Sequence, residues 1–211
     1  MDGPEPGDAQ QAPILGGDAQ QAPIFSMDNP TVREALDSPH AEDWANSIYN
    51  ENVSLMKREV FDVVDLPEGR KALKSRYLLK LKKMAEGRMK FKARLVVLGC
   101  GQREGIDYLE TFAPVAKGGT IRLLLALAQL LGLHVHQMDV DTAFLYAKLK
   151  EEIYMHPPEG MEGIPEGKVL KLRKSLYGLK QSPMNFNNTI NEFIESMGFK
   201  RCVSVTSYDL L

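Results

Sequence analysis

Cysteine is nearly missing from this 211-residue chain: Cys100 and Cys202 are its only two, too few for a disulfide framework or a cysteine-based zinc site. Long apolar runs are missing as well. Stretches such as Leu95 to Leu98 and Leu123 to Leu127 fall far short of the roughly 20 residues a membrane-spanning helix needs. The opening Met1-Asp2-Gly3-Pro4-Glu5 has neither the basic residues nor the apolar block of a secretory signal, so the expectation is an intracellular protein with no membrane partner. No Gly-x-x-x-x-Gly-Lys loop, Gly-x-Ser-x-Gly elbow or dinucleotide glycine fingerprint occurs, which weakens nucleotide-hydrolase, serine-hydrolase and dehydrogenase readings. What remains is an ordinary globular composition, 44% hydrophobic and 26% charged, with apolar mass for one core and one domain.

The net charge of -2 conceals an uneven distribution. Residues 1–30 carry Asp2, Glu5, Asp8, Asp18 and Asp28 with no lysine or arginine, and the unit Gly-Asp-Ala-Gln-Gln-Ala-Pro-Ile occurs twice, at Gly7 to Ile14 and Gly17 to Ile24. Two polar copies are too few to stack as a solenoid, so residues 1–30 read as a disordered low-complexity tail ahead of a domain at 31–211. From Glu68 to Arg103 the sign reverses: twelve of the chain's 26 lysines and arginines stand against Glu68 and Glu86 alone.

That basic segment is strand-like. Arg76 to Leu81 and Met89 to Leu98 flank a Glu86-Gly87 turn signal, which predicts a hairpin. Period-two alternation then puts Lys90, Lys92 and Arg94 on one face and Met89, Phe91, Ala93 and Leu95 on the other. The cationic face reads either as a solvated strand face or as a surface for a polyanion. The polyanion reading is favoured because a run of about ten net positive charges repels itself without a partner. Around the hairpin, Ala41, Trp44, Ala45, Ile48 and Leu55 suit one helical face, and Val60 to Val64 a short strand. Thr120 is the expected N-cap of an apolar helix ended by Gly132, followed by a buried strand from Leu133 to Val140. Short strands are expected at Glu152 to Met155 and Val169 to Leu172. A helix starts at Ser182-Pro183, with Phe186, Ile190, Phe193, Ile194 and Met197 as its core stripe. The mixture predicts an α+β fold.

Asp139 is the carboxylate best placed for chemistry, at the end of an apolar run and before a turn and short helix, where a hard divalent cation can be held against a phosphate. A helix-terminal charge or cap is the competing reading, and Asp141 shares the ambiguity. His134 and His136 share a strand face but have no third ligand at metal spacing.

Eight runs, in order, resemble the reverse transcriptases of copia-type retrotransposons. They are Trp44-Ala45 with Glu51; Leu66-Pro67-Glu68-Gly69-Arg70-Lys71-Ala72; Lys92-Ala93-Arg94-Leu95-Val96; Gly105-Ile106-Asp107-Tyr108 through Glu110-Thr111-Phe112-Ala113-Pro114-Val115; Ile121-Arg122-Leu123-Leu124; Gln137-Met138-Asp139-Val140 with Thr142-Ala143-Phe144-Leu145; Glu151-Glu152-Ile153-Tyr154-Met155; and Lys174-Ser175-Leu176-Tyr177-Gly178-Leu179-Lys180-Gln181. The resemblance implies the fingers and part of the palm of a right-hand polymerase, with RNA or DNA template-primer and deoxynucleotides as partners and magnesium as cofactor. It makes Asp139 the catalytic, metal-binding aspartate, leaves Asp141 at a variable position, and makes Phe144 the aromatic beneath the sugar. Lys92 and Arg94 meet triphosphate or template backbone, Tyr177 and Gly178 line the nascent base pair, and Lys80, Lys82 and Lys90 extend the nucleic-acid surface. Met184 and Phe186 depart from the usual arginine and tryptophan, and Gly118-Gly119 stands where polar or β-branched residues are common. The sequence reaches Leu211 without a Tyr-x-Asp-Asp hairpin, so one of three metal-binding carboxylates is expected here. The chain reads as a truncated domain, inactive in nucleotidyl transfer on its own unless another chain complements it, with an uncovered apolar helix face. The alternative is a non-catalytic nucleic-acid-binding remnant that uses the basic hairpin.

Overall fold

The computed structural model describes residues 29–84 and 87–201. Residues 1–28, the Glu86 of the hairpin turn and Cys202 therefore lie outside the described residues. Helices α1 (Val32–Leu36), α2 (Ala41–Lys57), α3 (Gly118–Leu130) and α4 (Ser182–Ser196) combine with strands β1 (Phe61–Val64), β2 (Ala72–Leu73), β3 (Ser75–Lys83), β4 (Met89–Val97), β5 (Tyr154–Met155) and β6 (Val169–Leu172). The α+β expectation holds. One sheet has the order β1-β6-β5-β2, with β2 and β5 parallel and the other neighbours antiparallel; β3 and β4 form a separate antiparallel hairpin.

Alternation in the hairpin sets the core. Tyr77, Leu79 and Leu81 of β3 and Ala93, Leu95 and Val97 of β4 are buried on one face. They join Trp44, Ile48 and Leu55 of α2, and Met155, Leu170 and Leu172 of the larger sheet, in a single apolar cluster. Helix α2 seals the back of β4: Trp44 meets Phe91 edge-on with ring centroids 4.8 Å apart, Ser47 Oγ donates to the Phe91 carbonyl at 3.3 Å, and Glu51 Oε1 accepts from the Leu95 amide at 3.1 Å. Ala45, expected on the buried face, is exposed. Thr31 and Glu34 form a reciprocal capping box that starts the short α1.

Three expectations fail for identifiable reasons. Helix α3 begins at Gly118 with Lys117 as N-cap, which leaves Thr120 inside the first turn. The strand expected from Leu133 to Val140 is irregular and exposed throughout. A strand needs a neighbour to take its ladder hydrogen bonds, and this segment is in none of the observed strand pairings. The α4 stripe is half-buried at Phe186 and Ile190 but exposed at Phe193, Ile194 and Met197. Helix α3 is likewise open, with Leu123, Leu124, Leu127 and Leu130 all exposed and only Ala128 buried. Among the described residues no helix is long and apolar enough to cross a membrane.

The Tyr77 hydroxyl donates to Asn52 Oδ1 at 2.6 Å, tying β3 to α2. Burial is the largest cause that pushes its phenol up to about 12, and nearby Glu51 adds to it. The unfolded chain, with an ordinary tyrosine pKa of about 10, releases this proton first. Stability from this site is therefore complete below about pH 10 and declines as pH rises toward about 12. Urea midpoints measured across that window are expected to fall less steeply for Tyr77→Phe than for the parent, and parallel curves would contradict this.

Candidate nucleic-acid interface

The outer face of the hairpin is built by register. Lys80 lies directly opposite Lys92, Lys82 opposite Lys90, and Leu78 opposite Arg94. Lys80, Lys82 and Lys90 are exposed, Lys92 and Arg94 half-buried, and among the described residues no carboxylate forms a salt bridge with any of the five. Like charges directly opposite across a strand pair are destabilising. The Lys92 ammonium feels this crowding: partial burial first, then Arg94, Lys82 and Lys90, hold its pKa below the usual lysine value, while Asp141 pulls it back up. Asp141, set aside in the sequence as a variable position, is thus an acidic neighbour of the cationic face.

A turn carries Tyr177 to the far end of the same strand. The Val97 amide donates to the Tyr177 carbonyl at 2.8 Å, and Val96 and Tyr177 form an isolated parallel bridge. Gly178 follows at φ 94°, where a Cβ would stand 2.0 Å from the Val97 carbonyl oxygen; a Cβ on Gly99 would stand 2.1 Å from the Gly178 carbonyl oxygen. Glycine is required here by backbone packing within the chain. Two buried glutamines complete the joint: Gln102 Nε2 donates to Gln181 Oε1 at 2.9 Å, the Lys180 amide to Gln102 Oε1 at 2.8 Å, and Gln181 Nε2 to the Asp107 carbonyl at 2.8 Å. Sequence reading missed Gln102, which lies in none of the eight runs, and left Gln181 and Glu51 without a role.

This joint brings three sequence-predicted residues together. The Arg94 guanidinium carbon sits 5.0 Å over the Tyr177 ring, and Phe144 meets Tyr177 edge-on at 4.8 Å. Phe186 then packs with its ring centroid 6.2 Å from that of Phe144 and adds a third aromatic ring to the group. Phe144 is held by a short 3-10 turn, Ala143–Tyr146, anchored by the buried Leu145 and entered through Thr142 at φ 54°.

Among the described residues no ring, cation-π or hydrogen-bond contact links Asp139 to this cluster. Asp139 is exposed, among the described residues no hydrogen bond or ion pair involves it, and it caps no helix, since Thr142 holds the N-cap of the turn that follows. Among the described residues no group of three or more histidine, cysteine, aspartate or glutamate side chains could hold a metal ion. Magnesium keeps its hydration shell unless several oxygens replace it, so the described donor set does not fit a complete magnesium site. His134 and His136 are exposed and join no such group.

Residues 58–207 match the reverse transcriptase (RNA-dependent DNA polymerase) family. The chain belongs to that family. Its similarity to transposon polyproteins bears out the copia-type resemblance: it is 42% identical over 178 residues to the retrovirus-related Pol polyprotein from transposon TNT 1-94 of Nicotiana tabacum, covering 82% of this chain and 13% of that protein. It is 35% identical over 182 residues to the corresponding polyprotein of transposon RE1 of Arabidopsis thaliana, covering 85% and 12%. Against the Ty1-ER2 Gag-Pol polyprotein of Saccharomyces cerevisiae the identity is 36% over 108 residues, 49% of this chain and 6% of that protein. This reverse transcriptase sequence therefore spans about an eighth of the length of the first two polyproteins. No solved structure matches it.

The like-charge register predicts a cost in stability. Lys90→Glu turns the Lys82 pair into an opposite-charge pair, and is expected to stabilise the protein by about 0.5 kcal/mol at low salt. Denaturant unfolding at low and at roughly 1 M salt checks this, because the gain should vanish under screening; a destabilised variant at low salt would contradict it.

Proposed function

We propose that this chain supplies the nucleic-acid- and nucleotide-contacting surface of an RNA-directed DNA polymerase, comprising the fingers and part of the palm of a right-hand fold. The observation that carries the reading is the junction of the lysine-paired hairpin face with the Arg94–Tyr177–Phe144 cluster. Cations at fixed spacing beside aromatic rings suit a ligand with regular phosphates and flat bases.

In this reading Lys80, Lys82 and Lys90 contact backbone phosphates of the template, which carry affinity without sequence preference. Lys92 and Arg94 contact the deoxynucleotide triphosphate, Arg94 with a planar fork that its stacking on Tyr177 keeps oriented. Phe144, braced between Tyr177 and Phe186, lies under the sugar and excludes a ribose 2′-hydroxyl by bulk. The segment Tyr177-Gly178 borders the nascent base pair. Asp139 would contribute one carboxylate toward a catalytic magnesium, and among the described residues no group of side chains completes that site. Template and deoxynucleotide substrates place the proposed role inside a cell.

The same incomplete donor set favours a second reading for the isolated polypeptide, a nucleic-acid binder without nucleotidyl transfer. Purified protein given template-primer, magnesium and deoxynucleotides is expected to bind but not to extend the primer. Template-dependent extension abolished by Asp139→Asn would overturn the expectation of inactivity. Replacing Lys90, Lys92 and Arg94 together by glutamine is expected to weaken single-stranded RNA binding by about 10- to 100-fold near 0.1 M salt, and to flatten its salt dependence, while Asp139→Asn leaves binding unchanged. Equal binding by the triple variant would refute the assigned surface.

A further inference from the structure

At the open end of the hairpin, beyond the lysine pairs, lies a pocket of about 430 Å³, within the range of about 300–1,000 Å³ typical of ligand clefts. Its floor is aliphatic, formed by Leu66, Ala72, Leu73 and Leu98. Gly101 keeps that floor open, because a Cβ there would stand 3.3 Å from Leu73 Cδ2. Three cations surround it: Arg70, Lys71 and Lys74. Arg70 is fixed to the wall, bound to Glu152 and placed 5.9 Å over the Tyr154 ring. Lys71 and Lys74 are exposed, and among the described residues no carboxylate forms a salt bridge with either. His156 completes the lining. Its backbone is pinned on both sides, the amide donating to the Leu73 carbonyl at 2.9 Å and the carbonyl accepting from Ser75 Oγ at 2.6 Å.

We infer that this pocket seats one nucleotide of a single-stranded RNA, its base against the aliphatic floor and the His156 imidazole, and its flanking phosphates on Lys71 and Lys74. The inference rests on the nucleic-acid reading of the hairpin and extends it to residues outside the lysine-paired face. An apolar floor beneath unpaired cations accepts a flat apolar body joined to negative charge. Unstacked bases of single strands have that form, and histidine is among the side chains on which they stack.

Continuity selects a strand over a free mononucleotide. The outer face of β3 carries Arg76, Lys80 and Lys82, all exposed. The Leu98 amide donates to the Lys74 carbonyl at 2.8 Å, which carries the hairpin ladder one residue further, to the rim of the pocket. Alternation then puts Lys74 on the side of Arg76. From Lys82 to Lys74 is eight residues, about 26 Å of strand, which matches the rise of about eight stacked nucleotides at about 3.4 Å each. A single strand held on the lysine pairs therefore reaches the pocket without leaving the cationic face.

Cys100 lines the pocket and is exposed, so its alkylation reports occupancy. The full chain carrying Cys202→Ser is treated with N-ethylmaleimide, a neutral reagent, alone and with a saturating 12-nucleotide single-stranded RNA, and each variant is read as the ratio of its own two rates. RNA is expected to slow labelling of Cys100 at least fivefold. Lys71→Gln combined with Lys74→Gln, both at exposed positions, should reduce that slowing to less than twofold. Acetylation of Lys80, Lys82 and Lys90 should stay protected in the same double variant, which shows it folded and RNA-bound. Unslowed labelling with the hairpin lysines protected would overturn the pocket and leave the hairpin surface standing, whereas unslowed labelling with those lysines unprotected would overturn both. Equal slowing by inorganic polyphosphate, or by adenosine monophosphate at the same phosphate concentration, would overturn the assignment to a nucleotide within a strand, as would undiminished slowing in the double variant.

Discussion

A backbone joint organises the rest of this structure: the Val97 amide on the Tyr177 carbonyl, with Gly178 pressed against the Val97 carbonyl. It fastens the turn ahead of α4 to the last residues of β4. Without it the cationic hairpin and the Phe144 segment would be separate features. With it, Arg94 lies over the Tyr177 ring and Tyr177 meets Phe144 edge-on, and charge and aromatic surface become contiguous. The Gln102–Gln181 pair supports the joint from below, and because both side chains are buried, losing either would strand polar atoms away from water.

The hairpin itself accepts a local electrostatic penalty. Two lysine pairs face each other across the strands, and the neighbouring Asp141 offsets part of the repulsion at Lys92. A fold selected for stability alone would alternate the signs. Stability instead comes from the opposite face, where Tyr77, Leu79, Leu95 and Val97 pack with Trp44 and Leu55, and from Glu51, which occupies the Leu95 amide. Burial raises the Glu51 pKa, against the Leu95 hydrogen bond and the nearby Arg94, Lys92 and Arg58 charges; a half-buried acid held in this way braces the strand that carries the cations.

How much of this was legible in the sequence depended on whether a signal was local. Period-two alternation gave the buried and cationic faces of β4 correctly, because each residue's side is decided by its own strand. The end of α3 was marked by Gly132, which adopts φ 65°. Leu133 to Val140 has strand-like composition but no neighbouring strand, and composition cannot report a partner. The core stripe of α4 failed similarly: Phe193 and Met197 have the right spacing, but nothing among the described residues covers them fully. The glutamine pair joins positions 79 apart in sequence, beyond the range of any local pattern. Gly178 was singled out for an approach to nucleic acid; the fold adds a requirement of its own, the contact with Val97.

The paired lysines of the hairpin are proposed as the polyanion surface. Lysine acetylation footprinting, read by mass spectrometry with and without a bound single-stranded RNA oligonucleotide, tests it residue by residue. Strong protection of Lys80, Lys82, Lys90 and Lys92 is expected, with little change at Lys57, the last residue of α2, and at Lys168, in the loop before β6. Unaltered labelling of the four hairpin lysines under conditions where the oligonucleotide is bound would contradict it.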